Sequence, residues 1–279
     1  GHKVTIIAHV THPHTVLGVV FLPLAEVKKK KRTDILILVS SGGALSILPA
    51  QDLKIKSKWR SVWLHGIPYI EGLDSVEWDE LNPCSNFIST IVHTKWPVSN
   101  PRIFTIYNGT TNFEPIPGTD RIERDPFRLI YFSHPDKGLV AAIEVLKRLR
   151  RKDKRFHLHV YGGAGLYGGE DKEINNRAGV TFFGTQRQSE VLGAARKSLV
   201  VMALQAIEEG FGLVLTESMA HGAIPLASPV GAYPELIRHG HNGILIEGEY
   251  TTAAAIDNAA EWILRLNKNP DLADYIRRN

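Results

Sequence analysis

One cysteine, Cys84, and two methionines stand among 279 residues. That scarcity excludes a disulfide framework and any multi-cysteine metal site, and makes a reducing compartment the expectation. Cys84 follows Pro83 and reads as a small buried residue rather than a nucleophile. No apolar run is long enough to cross a bilayer, and the start lacks the pattern of a secretory signal. There is no internal repeat and no low-complexity tract. A strong charge of one sign is missing too: 33 basic against 29 acidic residues leave a net +4. The excess gathers at residues 28–32 and 147–155. Neither run is interleaved with aromatics, which argues against a nucleic-acid partner. The second run reads as a solvated helix C-terminus, where the helix dipole favours cations. The first is left available to a membrane surface.

What is present is 43% hydrophobic residues over a length that accommodates one large or two medium domains. The second half alternates strand and helix. Apolar runs at 127–133, 156–162, 180–184, 198–204, 223–228 and 243–247 read as strands. Helical patterns fall at 138–151, 188–197, 212–221, 234–239 and 252–267. Continuous apolar strands separated by helices predict a parallel sheet covered on both faces. Such a sheet binds ligands at the carboxyl ends of its strands. In the first half, strands are expected at 3–8, 34–40, 61–65, 87–92 and 102–107, and a helix over 16–29. Proline, glycine and mixed charge over 108–126 suggest a linker, dividing the chain into domains 1–118 and 119–279.

The most informative segment is Glu209-Gly-Phe-Gly-Leu-Val-Leu-Thr-Glu217. A buried strand runs into it and an apolar helix runs out. Gly210 and Gly212 let the backbone approach a ligand, and Phe211 and Leu213 complete the turn. The N–H groups of the helix that follows offer a seat for a diphosphate. Glu209 then meets a ligand hydroxyl from the loop, and Glu217 reaches along the same ligand from the helix. A diphosphate with a polyol at each end, such as a nucleotide-sugar, fits this description. The plainer alternative is a pair of solvated helix-end acids.

With its continuation 220–235 and Gly240-His-Asn-Gly-Ile-Leu-Ile246, this segment resembles the donor-site signature of the family-4 retaining glycosyltransferases, glycosyl transferases group 1. The resemblance implies the GT-B fold: an α/β architecture of two Rossmann-like parallel-sheet domains facing a cleft, the N-terminal one apparently shortened here. It further implies retaining transfer of a hexose from a nucleotide-diphosphate sugar, with UDP or GDP expected, to a glycan or lipid-linked acceptor. No metal or other cofactor is expected, and the location implied is the cytoplasm or the membrane face. On this resemblance Lys137, in Phe-Ser-His-Pro-Asp-Lys-Gly, balances charge on the leaving diphosphate. The arginine that accompanies such a lysine has no counterpart; Ser133 and His134 stand in its place. Gly162 and Gly163 give room to the nucleotide, and Thr185 and Gln186 adjoin the base. Glu217 holds the ribose, Glu209 a sugar hydroxyl, and His65, at a strand end in the first half, faces the sugar or acceptor. The glycine-rich loop expected before residue 1 and the crossover helix expected after Asn269 are not evident. The alternative is therefore a nucleotide-sugar-binding protein of the same fold without turnover. The cluster His9, His12, His14 has spacing reminiscent of metal ligation, but no acidic or cysteine partner, and reads as a loop.

Overall fold

The computed structural model describes residues 1–29, 31–40, 54–70, 73, 76–97, 102–110, 123–163, 165 and 178–279. The chain divides into two compact units, Gly1–Tyr107 and Asn108–Asn279. The expected 118/119 division and most of the expected linker, residues 111–122, lie outside the described residues.

In the first unit, β1 (Thr5–Ala8), β2 (His14–Val16) and β3 (Val19–Pro23) form a three-stranded sheet in the order β1-β3-β2. A second sheet, all parallel, orders β4 (Lys31–Ser40), β5 (Ile55–Leu64), β6 (Glu80–Pro83) and β7 (Arg102–Ile103). Three sequence expectations are corrected here. The helix expected over 16–29 is instead the β2–β3 hairpin followed by a 3-10 turn, Leu24–Lys28. Leu17 and Gly18 both take positive φ, 50° and 80°, which suits a two-residue hairpin turn. The strand expected over 87–92 is the helix α1 (Asn86–Lys95). Its β-branched content suggests a strand, but the Ser85 side chain accepts the Ile88 N–H at 3.1 Å and caps the helix. Ile88, Ile91 and Val92 are then buried together at helical spacing. The strand expected over 102–107 is confined to Arg102–Ile103.

The second unit is one all-parallel sheet flanked by helices. Its strands are β8 (Arg128–Phe132), β9 (His157–Tyr161), β10 (Val180–Gly184), β11 (Val200–Ala203), β12 (Ile224–Ala227) and β13 (Ile244–Leu245). They lie in the order β10-β9-β8-β11-β12-β13. The helices are α2 (Leu139–Lys152), α3 (Gln188–Arg196), α4 (Leu213–Ala220), α5 (Tyr233–Leu236), α6 (Ala253–Lys268) and α7 (Pro270–Arg278). Both faces are buried, so alternate residues of one strand serve different cores. Leu129 and Tyr131 pack with α2 and α6, whereas Ile130 packs with α3 and α4 residues such as Ala195 and Leu215. A helix does follow Asn269, whose side chain accepts the Leu272 N–H at 3.1 Å. Ala273 and Ile276 of this α7 join the same core as α2 and α6.

Strand order reverses between β8 and β11. Only Leu129 with Val200 and Ile130 with Val201 are in register there, against five residue pairs between β8 and β9. The site described next lies at the carboxyl end of that junction.

Candidate functional site

Described residues that follow β8, β9, β10, β11 and β12 come together at the carboxyl edge of the second unit's sheet. The β8 loop ends at Gly138, with φ of 97°, where an added Cβ would lie 1.6 Å from the Leu204 carbonyl oxygen. Only glycine lets this loop rest on the end of β11. That contact brings Lys137 beside Glu209, with Nζ and Oε1 2.5 Å apart and both side chains roughly three-quarters buried. Buried Gln205 supports the pair from behind. Its Nε2 lies 3.4 Å from Glu209 Oε1 and donates to the Tyr233 hydroxyl at 3.0 Å. Its backbone N–H donates to Ser228 Oγ at 3.0 Å. The β12 turn fixes the Glu209 backbone, since the Ala232 N–H donates to the Glu209 carbonyl at 2.9 Å. Gly231, with φ of 55°, packs so tightly there that a Cβ would meet the same carbonyl oxygen at 2.4 Å. Burial, with the Glu209 charge second, pushes the Tyr233 hydroxyl well above the usual phenol range. Tyr233 therefore acts as a neutral hydroxyl in this network.

Glu217 lies at the other end, on α4. Its Oε1 accepts from Gln188 Nε2 at 2.5 Å. Burial raises its pKa, an effect opposed by the Gln188 bond and then by His221. It lines a pocket whose polar members are Ser133, Gln186 and Gln188 and whose apolar wall is Phe132, Tyr161, Val191 and Leu192, with Gly162 between. Such a pocket suits a flat ring with an edge to recognise and a polyol at its mouth.

Of the residues singled out from the sequence, the structure brings Lys137 to Glu209, and Ser133, Gly162 and Gln186 to Glu217. Gly210 and buried Phe211 lie in the turn joining the two ends; Gly212, with φ of 102°, caps α4 at Leu213 and packs against the Tyr233 ring. Gly163 and Thr185 adjoin the pocket in sequence but do not line it. His65 belongs to the first unit, where its Nδ1 is 3.1 Å from the Ser40 carbonyl oxygen. Also in that unit His14 stacks on Phe21 at 5.1 Å, and among the described residues no group of three potential metal ligands exists. Sequence reasoning missed Gln188, Gln205, Tyr233, Val191 and Leu192.

Residues 127–279, more than half the chain, match the family model of glycosyl transferases group 1. The chain belongs to that family. This family member is 29% identical over 148 residues to an uncharacterized glycosyltransferase of Methanocaldococcus jannaschii, a match covering 52% of the chain and 39% of the relative. It is 29% identical over 125 residues to a D-inositol 3-phosphate glycosyltransferase of Corynebacterium aurimucosum, covering 43% of the chain and 29% of the relative. The matched stretches thus span well under half of either relative. Among solved structures, the group 1 chain superposes on Anabaena Alr3699/HepE in complex with UDP-glucose with a TM-score of 0.62 at 19% identity. That alignment covers 79% of this chain and 66% of that one. The likeness shows the fold, the GT-B class expected from the sequence.

Proposed function

We propose that this chain carries the donor site of a retaining, metal-independent glycosyltransferase that moves a hexose-type sugar from a nucleoside diphosphate to a hydroxyl acceptor. The observation that carries the reading is the two-ended site. One carboxylate is paired with a cation at Lys137–Glu209; the other, Glu217, stands at an apolar pocket, with the opening of α4 between them. Nucleobase and ribose occupy the pocket, with Glu217 on the ribose hydroxyls. The diphosphate lies at the α4 N-terminus. Lys137 meets the charge that develops on the leaving phosphate, and Glu209 holds a sugar hydroxyl near the reacting carbon. Gly210 to Leu213 supply backbone to the diphosphate and sugar, while Gly163 and Thr185 shape the rim near the base. UDP and GDP sugars are the proposed donors. His65 is assigned to the sugar or to a glycan or lipid-linked acceptor.

Contact with the cytoplasmic membrane face through residues 28–32 is part of the proposal. Among the described residues of this run Glu26 pairs with Lys29 and Lys31, so Lys28 and Arg32 are the described cations proposed to carry it. Among the described residues no helix is long and apolar enough to cross a membrane.

The test is calorimetry with UDP, GDP, ADP, CMP and dTDP, alone and as their common sugars. Glu217→Ala is expected to weaken the nucleotide that binds by about 10- to 100-fold, the value of hydrogen bonds to a charged acceptor. Retention of full affinity by that variant would remove the reading. Turnover is expected to persist in a chelator, because Lys137 and the α4 dipole take the place of a divalent ion. A second reading, donor binding without turnover, is favoured by one observation: Ser133 and His134 stand where an arginine would accompany Lys137. Product formation from the bound sugar nucleotide decides between them.

A further inference from the structure

Gln188 is the first residue of α3 and comes to Glu217 from a different element of the fold, 29 positions away in sequence. Both line the same pocket. We infer that Gln188 is a positioning residue: its amide holds one oxygen of Glu217, so that the other oxygen is presented to a ribose hydroxyl at the pocket mouth. The inference rests on the proposed nucleoside site and deepens it.

Glu217 lies on a helix face and has rotamers that point away from the pocket. The Gln188 bond at 2.5 Å selects the one that points in. An acceptor oxygen that already receives one N–H is fixed in place, and a ligand hydroxyl then meets a carboxylate that needs no reorganisation. The backbone keeps Gln188 in place in turn. Glu190, two residues on, accepts the Arg187 N–H at 3.4 Å and helps to fix the start of α3. Gln186, the other glutamine of the pocket, is not an equivalent partner, because its Nε2 donates to the Phe183 carbonyl at 2.8 Å.

The Gln188 bond also bears on charge. Burial raises the Glu217 pKa, and the Gln188 bond and His221 oppose that rise. The titratable groups on the surrounding elements are His134 and Lys137 after β8, Tyr161 on β9, Arg187 and Glu190 beside Gln188, and His221 at the C-terminal cap of α4. Of these, His221 bears on Glu217 here. Removing the amide donor therefore moves Glu217 further up. A carboxylate with a raised pKa loses its charge at a higher pH, so nucleotide binding fails earlier on acidification.

The experiment compares wild type, Gln188→Met and Gln188→Glu in two ways. The first is ligand-free: the Glu217 carboxyl is titrated by carbon-detected NMR. Gln188→Met is expected to raise its midpoint, and Gln188→Glu to raise it more, since two carboxylates then face each other. The second is calorimetry with UDP, and with GDP in parallel, from acidic to neutral pH. Gln188→Met is expected to bind about tenfold more weakly and to lose binding at a higher pH than wild type. Ser189→Ala, at the next residue of α3 and outside the pocket lining, is the control and is expected to leave the acid limb unmoved. Gln188 is exposed on a first helical turn, so thermal melts of the variants should match wild type. An unchanged Glu217 titration in Gln188→Met would overturn the inference whatever binds. If Glu217→Ala abolishes UDP binding while Gln188→Met leaves affinity and acid limb intact, the inference falls and the proposed function stands. If Glu217→Ala binds as wild type does, the proposed function falls.

Discussion

Lys137→Met is expected to lower kcat by about a hundredfold to a thousandfold, the usual value of one preorganised charge at a developing oxyanion in a water-poor site. Nucleoside diphosphate affinity should change far less. On the proposed binding mode the ribose and base ends lie at Glu217 and the apolar pocket, which Lys137 does not line. The reasoning turns on when the charge is needed. In this structure Lys137 pairs with Glu209 at 2.5 Å, so its ammonium is already held at the mouth of the α4 turn. A diphosphate gains negative charge as its sugar departs, and a cation fixed there favours the transition state over the ground state. Methionine keeps most of the unbranched side chain and removes the ammonium group. Stability should fall as well, by about 1–3 kcal/mol, because the pair is mostly buried and Glu209 is left without its cation. Lys137→Arg should recover part of the rate. A kcat within a few-fold of wild type for Lys137→Met would show that the leaving-group charge is balanced elsewhere.

Gly138→Ala should cost about 3 kcal/mol or more, roughly 6–12 °C in Tm for a unit of this size. Two penalties combine. The φ of 97° is one that an L-residue adopts at a cost of about 1–2 kcal/mol. The new methyl would also lie 1.6 Å from the Leu204 carbonyl oxygen, a backbone atom at the end of a buried strand that has no freedom to move aside. Relief requires the β8 loop to lift off β11, taking Lys137 away from Glu209, so activity should fall with stability. Gly193→Ala is the matched control. Gly193 lies inside α3 with nothing within 4 Å of its would-be Cβ. The same chemical change there should stabilise by about 0.5–1 kcal/mol. Thermal melts of the two variants should move in opposite directions.

The second unit was legible in the sequence because its strands are buried on both faces. Leu129, Ile130 and Tyr131 are consecutive and all buried, which leaves a continuous apolar run that no surface element imitates. The first unit was harder. The run 87–92 has the β-branched content of a strand, and it becomes helical because Ser85 caps it and three of its residues share one buried side. The hairpin at 14–23 depends on a Leu-Gly turn, and leucine is not a residue that announces positive φ. In the site, the residues that declare themselves are those with backbone demands or charge: Gly138, Gly212, Lys137, Glu209 and Glu217. The amides that steady the carboxylates did not. Gln188 and Gln205 reach partners 29 and 28 positions away, Glu217 and Tyr233, and a glutamine has no spacing rule that would announce such a bond.

The thin junction between β8 and β11 gives the ligand a mechanical role as well. With two register pairs across it, against five between β8 and β9 and four between β11 and β12, the sheet is lightly laced where the strand order turns back. The proposed donor spans that line, with Lys137 and the Ser133 wall on one bank and Glu209 and Glu217 on the other. Cargo in the site then works as a stitch across a seam, and the halves of the sheet part most readily when the site is empty. On the proposed function, a ligand that binds only the folded site would therefore make the second unit slower to open and slower to be cut by a protease.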